Sequence, residues 1–293
     1  MIISVVIPVG REGFELFDRI RVLNLSLKEL SSASNNHVEF ETVLVTDVFD
    51  IDTVRSMMAI AKSRLARCYL LTTRVGKGGS IKNVINLLRG DYIVTIDADI
   101  PVKPEIILRA PILMRRYNLD VLIAHRVYRN NISNIRAFLS VAYNCLVNLF
   151  FKTGVRDHQA GFKVYSKKAA SLLLLKLSRS DDLSYDTEVI VWARKLGLRY
   201  AVIPVVWLEK RNRSTIKLSR AIIPMFTYLI ALRVSSFLSE YIPANKAVIG
   251  KVIDLSNLSV VSSEFATVNY VNDVKYSLFK LLKRLYVTIL RKG

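Results

Sequence analysis

Apolar and β-branched residues in this chain fall into short runs separated by stretches of helical spacing. Residues 2–8 (IISVVIP) form an apolar run closed by proline, and residues 39–46 (EFETVLVT) alternate before turning fully apolar. Residues 69–73, 91–97 (DYIVTID) and 120–124 (DVLIA) repeat the theme. Such runs predict strands. Between them, residues 14–30, 53–65, 80–89 and 104–117 have helical lengths and apolar spacing. Strand and helix alternating in this way predict βαβ units, an α/β fold with a mostly parallel sheet flanked by helices. Such sheets bind ligands beyond the carboxyl ends of their strands. The polar residues at those ends therefore matter most: Glu12, Asp47, Asp97, Asp99 and Arg126.

The pattern changes after residue 124. A long helix is expected over residues 134–151, a short strand over 161–166, helices near 167–177 and 186–196, and a strand over 200–208. A helix near residues 220–241 opens a basic tail. Residues 242–272 show no period, and residues 274–291 return to helical spacing with Leu278, Leu281, Leu282, Leu285 and Ile289. The simplest division is a catalytic domain over 1–218 and a C-terminal basic, helix-containing, membrane-associating segment over 219–293.

Composition narrows the class. Hydrophobic residues make up 52% of the 293, which excludes a disordered chain. Two cysteines, Cys68 and Cys145, exclude a disulfide framework and a cysteine-based zinc site, and fit a reducing compartment. The formal charge of +19 implies an anionic partner. Residues 209–293 hold 14 basic against 5 acidic side chains, so the tail is the more basic part per residue. No stripe of interleaved arginine and aromatic residues argues for nucleic acid, and none is expected as a partner. The N-terminus lacks a basic leader region and does not read as a signal peptide. The longest uncharged stretches, residues 137–151 and 221–232, are 15 and 12 residues long. A spanning helix needs about 18 or more, so the expectation is peripheral attachment to an anionic membrane surface, at its cytoplasmic face, without a span.

The candidate chemistry centres on Asp97-Ala98-Asp99, which follows the run Tyr92-Ile93-Val94-Thr95-Ile96. Two carboxylates two positions apart at a strand end can share a hard divalent cation, Mg²⁺ or Mn²⁺, with substrate phosphates. A second copy, Asp50-Ile51-Asp52, reads as an exposed turn and helix start. Gly76-Lys77-Gly78-Gly79-Ser80 precedes a helix, and a glycine-rich turn there can bring backbone N–H groups to a phosphate. It is not a Walker loop, because Gly78 follows Lys77.

Residues 76–101, GKGGSIKNVINLLRGDYIVTIDADIP, resemble the core signature of glycosyltransferase family 2, with Asn83 on the helix and Gly90-Asp91 before the strand. Pro8-x-x-x-Glu12 and Val45-Thr46-Asp47 stand where the family has its first two strand-end motifs. Residues 122–126 (LIAHR), 157–165 (DHQAGFKVY), 185–197 (YDTEVIVWARKLG) and 211–218 (RNRSTIKL) resemble boxes of the dolichyl-phosphate mannose and glucose synthase branch. The resemblance covers residues 1 to about 218.

It implies a GT-A fold and an inverting transfer of sugar from a nucleotide-sugar donor, of GDP-mannose or UDP-glucose type, to a polyprenyl or dolichyl phosphate. Pro8, Glu12, Asp47, Gly76, Lys77, Gly78, Asp97 and Ala98 would contact the donor, Glu12 and Asp47 at its nucleoside. Asp97 and Asp99 would form the metal site, with Asp99 holding the ion on the diphosphate. Arg126, Arg136, Arg211 and Lys217 would grip the acceptor phosphate. Asp157 and Glu188 are the remaining motif carboxylates, each open as a base, a metal-side ligand or a structural cap, and His125 and His158 stand as bystanders. The alternative is a family 2 enzyme with an alcohol acceptor, which would need a general base, whereas a phosphate is already an anion at neutral pH. A processive polysaccharide synthase is excluded, because the single glutamine, Gln159, cannot supply its Q-x-x-R-W motif.

Overall fold

The first strand, β1 (Ile2–Val9), explains the layering of the molecule. Ile3, Val5, Ile7 and Val9 pack on one face of the sheet and Val6 on the other, as the two-residue period of a strand requires. In the computed structural model, which describes residues 1–34, 37–128, 134–176, 184–208, 225–234, 252–257 and 259–261, both faces are covered by helices.

The chain continues through α1 (Glu15–Ala33), β2 (Glu39–Thr46), α2 (Ile51–Lys62), β3 (Arg67–Leu71), α3 (Gly76–Val84), a 3-10 turn (Ile85–Leu87), β4 (Tyr92–Thr95), α4 (Pro104–Tyr117) and β5 (Val121–Tyr128). It then runs through α5 (Asn134–Phe151), β6 (Lys163–Ser166), α6 (Lys167–Lys176), α7 (Tyr185–Lys195), β7 (Tyr200–Val206), a helical stretch over 225–234, β8 (Val252–Asp254) and β9 (Ser259–Val261). The sheet order is β7-β5-β6-β4-β1-β2-β3-β8-β9.

Helices α1, α2 and α4 share one core cluster, and α3, α5, α6 and α7 share the other. In α1 the buried residues Leu16, Ile20, Leu23 and Leu27 recur four and three apart, a single apolar stripe. Each such side chain stabilises the fold by about 1.5–3 kcal/mol. Helix α2 starts at Asp50, whose carboxylate accepts the Thr53 N–H at 3.1 Å. The second Asp-x-Asp copy is thus a helix cap. Helix α4 begins at Pro104 and ends at Asn118, in the left-handed conformation at φ 51°.

The expected parallel core is β3-β2-β1-β4, with β5 and β7 a further parallel pair. Two features lie outside the βαβ reading. Strand β6 runs antiparallel between β4 and β5. Strands β8 and β9, from the region without a period, form an antiparallel extension on β3. The glycine-rich segment differs from the expected turn: Gly76 to Ser80 opens α3 rather than preceding it. The Asp47 carboxylate causes this, accepting the N–H groups of Val75 and Gly76 at 2.8 and 2.7 Å. A cap from a neighbouring strand lets the helix start early. Gly76 sits at φ 75°, a conformation glycine adopts without strain. The expected helix over 274–291 lies outside the described residues.

Candidate active site at the carboxyl edge of the sheet

The carboxyl ends of β1, β2 and β4 bring Glu12, Asp47 and the Asp97-Ala98-Asp99 turn to one edge, with Pro8 near the end of β1 in register with Val45. Arg19 of α1 ties two of these loops together. Its guanidinium donates to Glu12 Oε2 at 2.8 Å and to the Ala98 carbonyl at 3.3 Å. The Glu12 loop is also pinned from below, because Thr53 Oγ1 accepts the N–H groups of Glu12 and Gly13 at 2.9 and 3.0 Å. Asp47 is buried and commits Oδ2 to the start of α3.

The turn after β4 is tight. The Ile100 N–H donates to the Asp97 carbonyl at 2.9 Å, and Ile100 adopts φ 48°. A β-branched residue in that region is strained, and such strain persists only where surrounding contacts over-determine it. One of those contacts is the Leu208 N–H to the Pro101 carbonyl at 2.8 Å, which anchors the turn to the end of β7.

Lys77 lies over this turn. Its ammonium is 2.8 Å from Asp97 Oδ1 and 2.8 Å from Asp186 Oδ2. Lys163, fully buried on β6, meets Asp186 Oδ1 at 2.6 Å and the Ala160 carbonyl at 2.5 Å. Burial alone would favour loss of the Lys77 proton, but Asp186 and then Asp97 outweigh it and hold that pKa above the ordinary lysine value. Asp186 is likewise held ionised: burial opposes the charge, and the two ammonium groups more than offset it. Gly161 completes the wall beside Asp97.

The resemblance of residues 76–101 implies a divalent cation. Among the described residues no group of three or more His, Cys, Asp or Glu side chains gathers. Mg²⁺ is commonly held through one or two carboxylates together with substrate phosphates. Two carboxylates stand on this turn: Asp97, with one oxygen on Lys77, and Asp99, half-buried two residues on.

Arg126 and Asp157, expected in separate roles, are bonded to each other. The guanidinium places Nε 2.6 Å from Asp157 Oδ2 and a terminal nitrogen 2.7 Å from Oδ1, and it lies 5.4 Å from the Trp207 ring centre. Both oxygens of Asp157 are engaged in this two-pronged pair. Glu188 is buried on the first turn of α7, where Oε1 accepts from Trp192 Nε1 at 3.3 Å. His158 is buried between Asn144 Oδ1 at 2.6 Å and Thr153 Oγ1 at 2.7 Å, and burial, with Lys163 nearby, pushes its pKa down to about 4. His125 is half-buried on β5. The Arg136 side chain, Arg211 and Lys217 lie outside the described residues.

Arg19, Lys163 and Asp186 were not among the candidates. Two had a readable signal: Lys163 is a charge inside a strand run, and Asp186 stands two positions before Glu188 in the same box. Arg19 carried none, because a polar position on an amphipathic helix reads as solvated.

Comparison with known proteins gives the family and the fold. The family model described as "Glycosyl transferase family 2" matches residues 4–173. Glycosyltransferase AglD of Haloferax volcanii is 29% identical over 238 residues, which are 78% of this chain and 36% of that protein. The chain thus spans about a third of that relative's length. Dolichyl-phosphate beta-glucosyltransferase ALG5A of Trichomonas vaginalis is 28% identical over 242 residues, 79% of this chain and 73% of the relative. A solved structure of glucosyl-3-phosphoglycerate synthase from Mycobacterium tuberculosis, in complex with Mn²⁺, UDP-glucose and glycerol 3-phosphate, superposes with a TM-score of 0.54. It covers 79% of each chain at 18% identity, a likeness of fold. By the extent of the family match and the strand-end motifs it includes, the chain belongs to glycosyltransferase family 2.

Proposed function

We propose that the protein transfers a hexosyl group, with inversion, from a nucleotide-sugar to a polyprenyl or dolichyl phosphate at a membrane surface, with UDP-glucose the favoured donor. The observation that carries this reading is the single edge at which Glu12, Asp47, Lys77 and the Asp97–Asp99 turn meet. The names of the relatives, dolichyl-phosphate beta-glucosyltransferases, and the UDP-glucose in the structural neighbour support donor and acceptor.

In this reading Glu12 and Asp47 line the nucleoside end, and Lys77 with the α3 N-terminus faces the diphosphate. Asp99 would hold Mg²⁺ or Mn²⁺, which offsets charge on the departing nucleoside diphosphate. An acceptor phosphate oxygen attacks the anomeric carbon as the bond to the diphosphate breaks on the opposite side. A phosphate acceptor needs no proton removed near neutral pH. That agrees with Asp157, whose oxygens are taken by Arg126, and with Glu188, buried beside Trp192.

Membrane attachment draws on α5. Phe138, Val141 and Leu149 are exposed along it, 71%, 62% and 73% accessible, at helical spacing on an uncharged stretch. Among the described residues no helix is long and apolar enough to cross a membrane. Attachment at the cytoplasmic face is part of the proposal, with the +19 charge drawing the chain to anionic lipid.

The decisive assay incubates the full chain with radiolabelled UDP-glucose or GDP-mannose, Mn²⁺, and either polyprenyl phosphate or the matching polyprenol. A labelled lipid formed only from the phosphate supports the proposal. Label on the polyprenol selects the alcohol-acceptor alternative, and label on neither overturns the reading.

A further inference from the structure

Four charged side chains form one line through the wall of the site. Asp97 touches Lys77, Lys77 touches Asp186, and Asp186 touches Lys163, at 2.8, 2.8 and 2.6 Å. Side-chain exposure falls along this line from 38% at Asp97 to 17%, 10% and 0% at Lys163. One end faces the cleft and the other is anchored in the sheet.

We infer that Asp186 is a positioning residue of the donor site, acting on Asp97 through Lys77. The inference rests on the nucleotide-sugar reading above.

Three observations carry it. First, a lysine has a flexible four-carbon stem, and one partner does not fix its ammonium. Lys77 is held between two carboxylates, and the second is itself held by Lys163 and by the first turn of α7. Second, each Asp186 oxygen already meets an ammonium, so the carboxylate is arranged to hold cations rather than to take a proton from an acceptor. Third, burial of paired charges is a weak route to stability, since apolar replacements often do as well. A buried line of charges that ends on the cleft residue Asp97 is better explained by what it aims. It also joins α3, which carries Lys77, to the box around Gly161, because Lys163 lies two residues beyond that glycine.

The test titrates UDP-glucose, with Mn²⁺ and no acceptor, into the full chain and its variants, and measures the acceptor KM separately. Asp186→Asn is expected to weaken donor binding at least tenfold, with the acceptor KM unchanged within twofold. Lys77→Met is expected to show a similar donor defect, and the combination of both no more than Lys77→Met alone. Asp186→Asn strands Lys163 in the core, so Asp186→Asn/Lys163→Met, which removes one charge of each sign, is measured beside it. That variant is expected to melt with the parent and keep the donor defect. Donor binding equal to the parent in either folded variant, a shift in acceptor KM instead, or additive losses would overturn the inference. So would loss of fold in both variants, which would assign Asp186 to the core. If the parent binds neither UDP-glucose nor GDP-mannose, the functional reading fails and takes the inference with it. Parent binding with an unaffected Asp186→Asn overturns the inference alone.

Discussion

Gly161 stands so close to Asp97 that a β-carbon on it would lie 1.9 Å from Asp97 Oδ2 and 2.5 Å from Cγ. The missing side chain at 161 therefore sets where the Asp97 carboxylate rests. The two residues come from distant segments and meet because β6, which follows Gly161, pairs with β4, which precedes Asp97.

Gly161→Ala should displace the Asp97 carboxylate from Lys77. Forced repacking of this kind costs about 1–3 kcal/mol. We expect urea unfolding to show a loss in that range and nucleotide-sugar binding to fall at least tenfold. Unchanged binding would mean that the Asp97 position is not needed for the donor.

Arg126→Ala leaves Asp157, only 5% exposed, without its guanidinium partner. Breaking a buried pair in this way typically costs about 3–5 kcal/mol. Arg126→Met/Asp157→Asn should regain most of that loss in denaturant titrations. A double variant no more stable than Arg126→Ala would show that the pair contributes little.

If Asp99 holds the ion as proposed, Asp99→Asn should raise the half-saturating Mn²⁺ concentration for transfer at least tenfold, because it would remove a charged oxygen ligand. Asp52→Asn, in the exposed copy of the motif on α2, should leave it unchanged. Equal responses would show that neither motif is selective for the ion.

Acid should destabilise the fold through His158. Burial, then Lys163, pushes its folded pKa down to about 4, against about 6.5 in the unfolded chain. Between those values the unfolded state binds more protons, so stability falls as pH drops through that window. The loss amounts to about 3 kcal/mol, complete near the lower end. His158→Asn should flatten this part of a stability-against-pH curve measured by urea unfolding, and an unchanged slope would assign the acid sensitivity elsewhere.

Leu149→Glu and Phe138→Glu replace exposed apolar side chains on α5 and should leave the melting temperature unaltered. If this helix rests on lipid, each should weaken flotation with anionic liposomes about tenfold, since burying such a side chain yields about 1.5–3 kcal/mol. Flotation equal to the parent would remove α5 from the membrane contact.

The parallel core was legible in the chain because β1, β2 and their neighbours are apolar on both faces and bounded by helical spacing. Their carboxyl ends were legible for the same reason, as the polar residue after each run is where a strand must stop. The partnerships at the site were not. Arg126 and Asp157 read as separate candidates, and only the placement of β5 beside the Asp157 loop joins them. The reversal of β6 left no trace in its four residues, since a strand's direction is set by its neighbours rather than by its own pattern. The β8–β9 pair was invisible because three-residue strands are too short to show a period.

That short pair has a consequence for how the chain is made. Strand β3 is covered on its outer side by β8, and about 180 residues of synthesis separate Leu71 from Val252. At about 5–20 residues per second, the interval is on the order of ten seconds or more. Throughout it the backbone N–H and C=O groups along that side of Tyr69, Leu70 and Leu71 face the cell without a strand partner. The nascent sheet is then open to other emerging chains on the same message. Chaperone dependence should therefore concentrate in this window and end when β8 docks, and a chain truncated before residue 252 should aggregate through β3 even though the described candidate-site residues all precede the truncation.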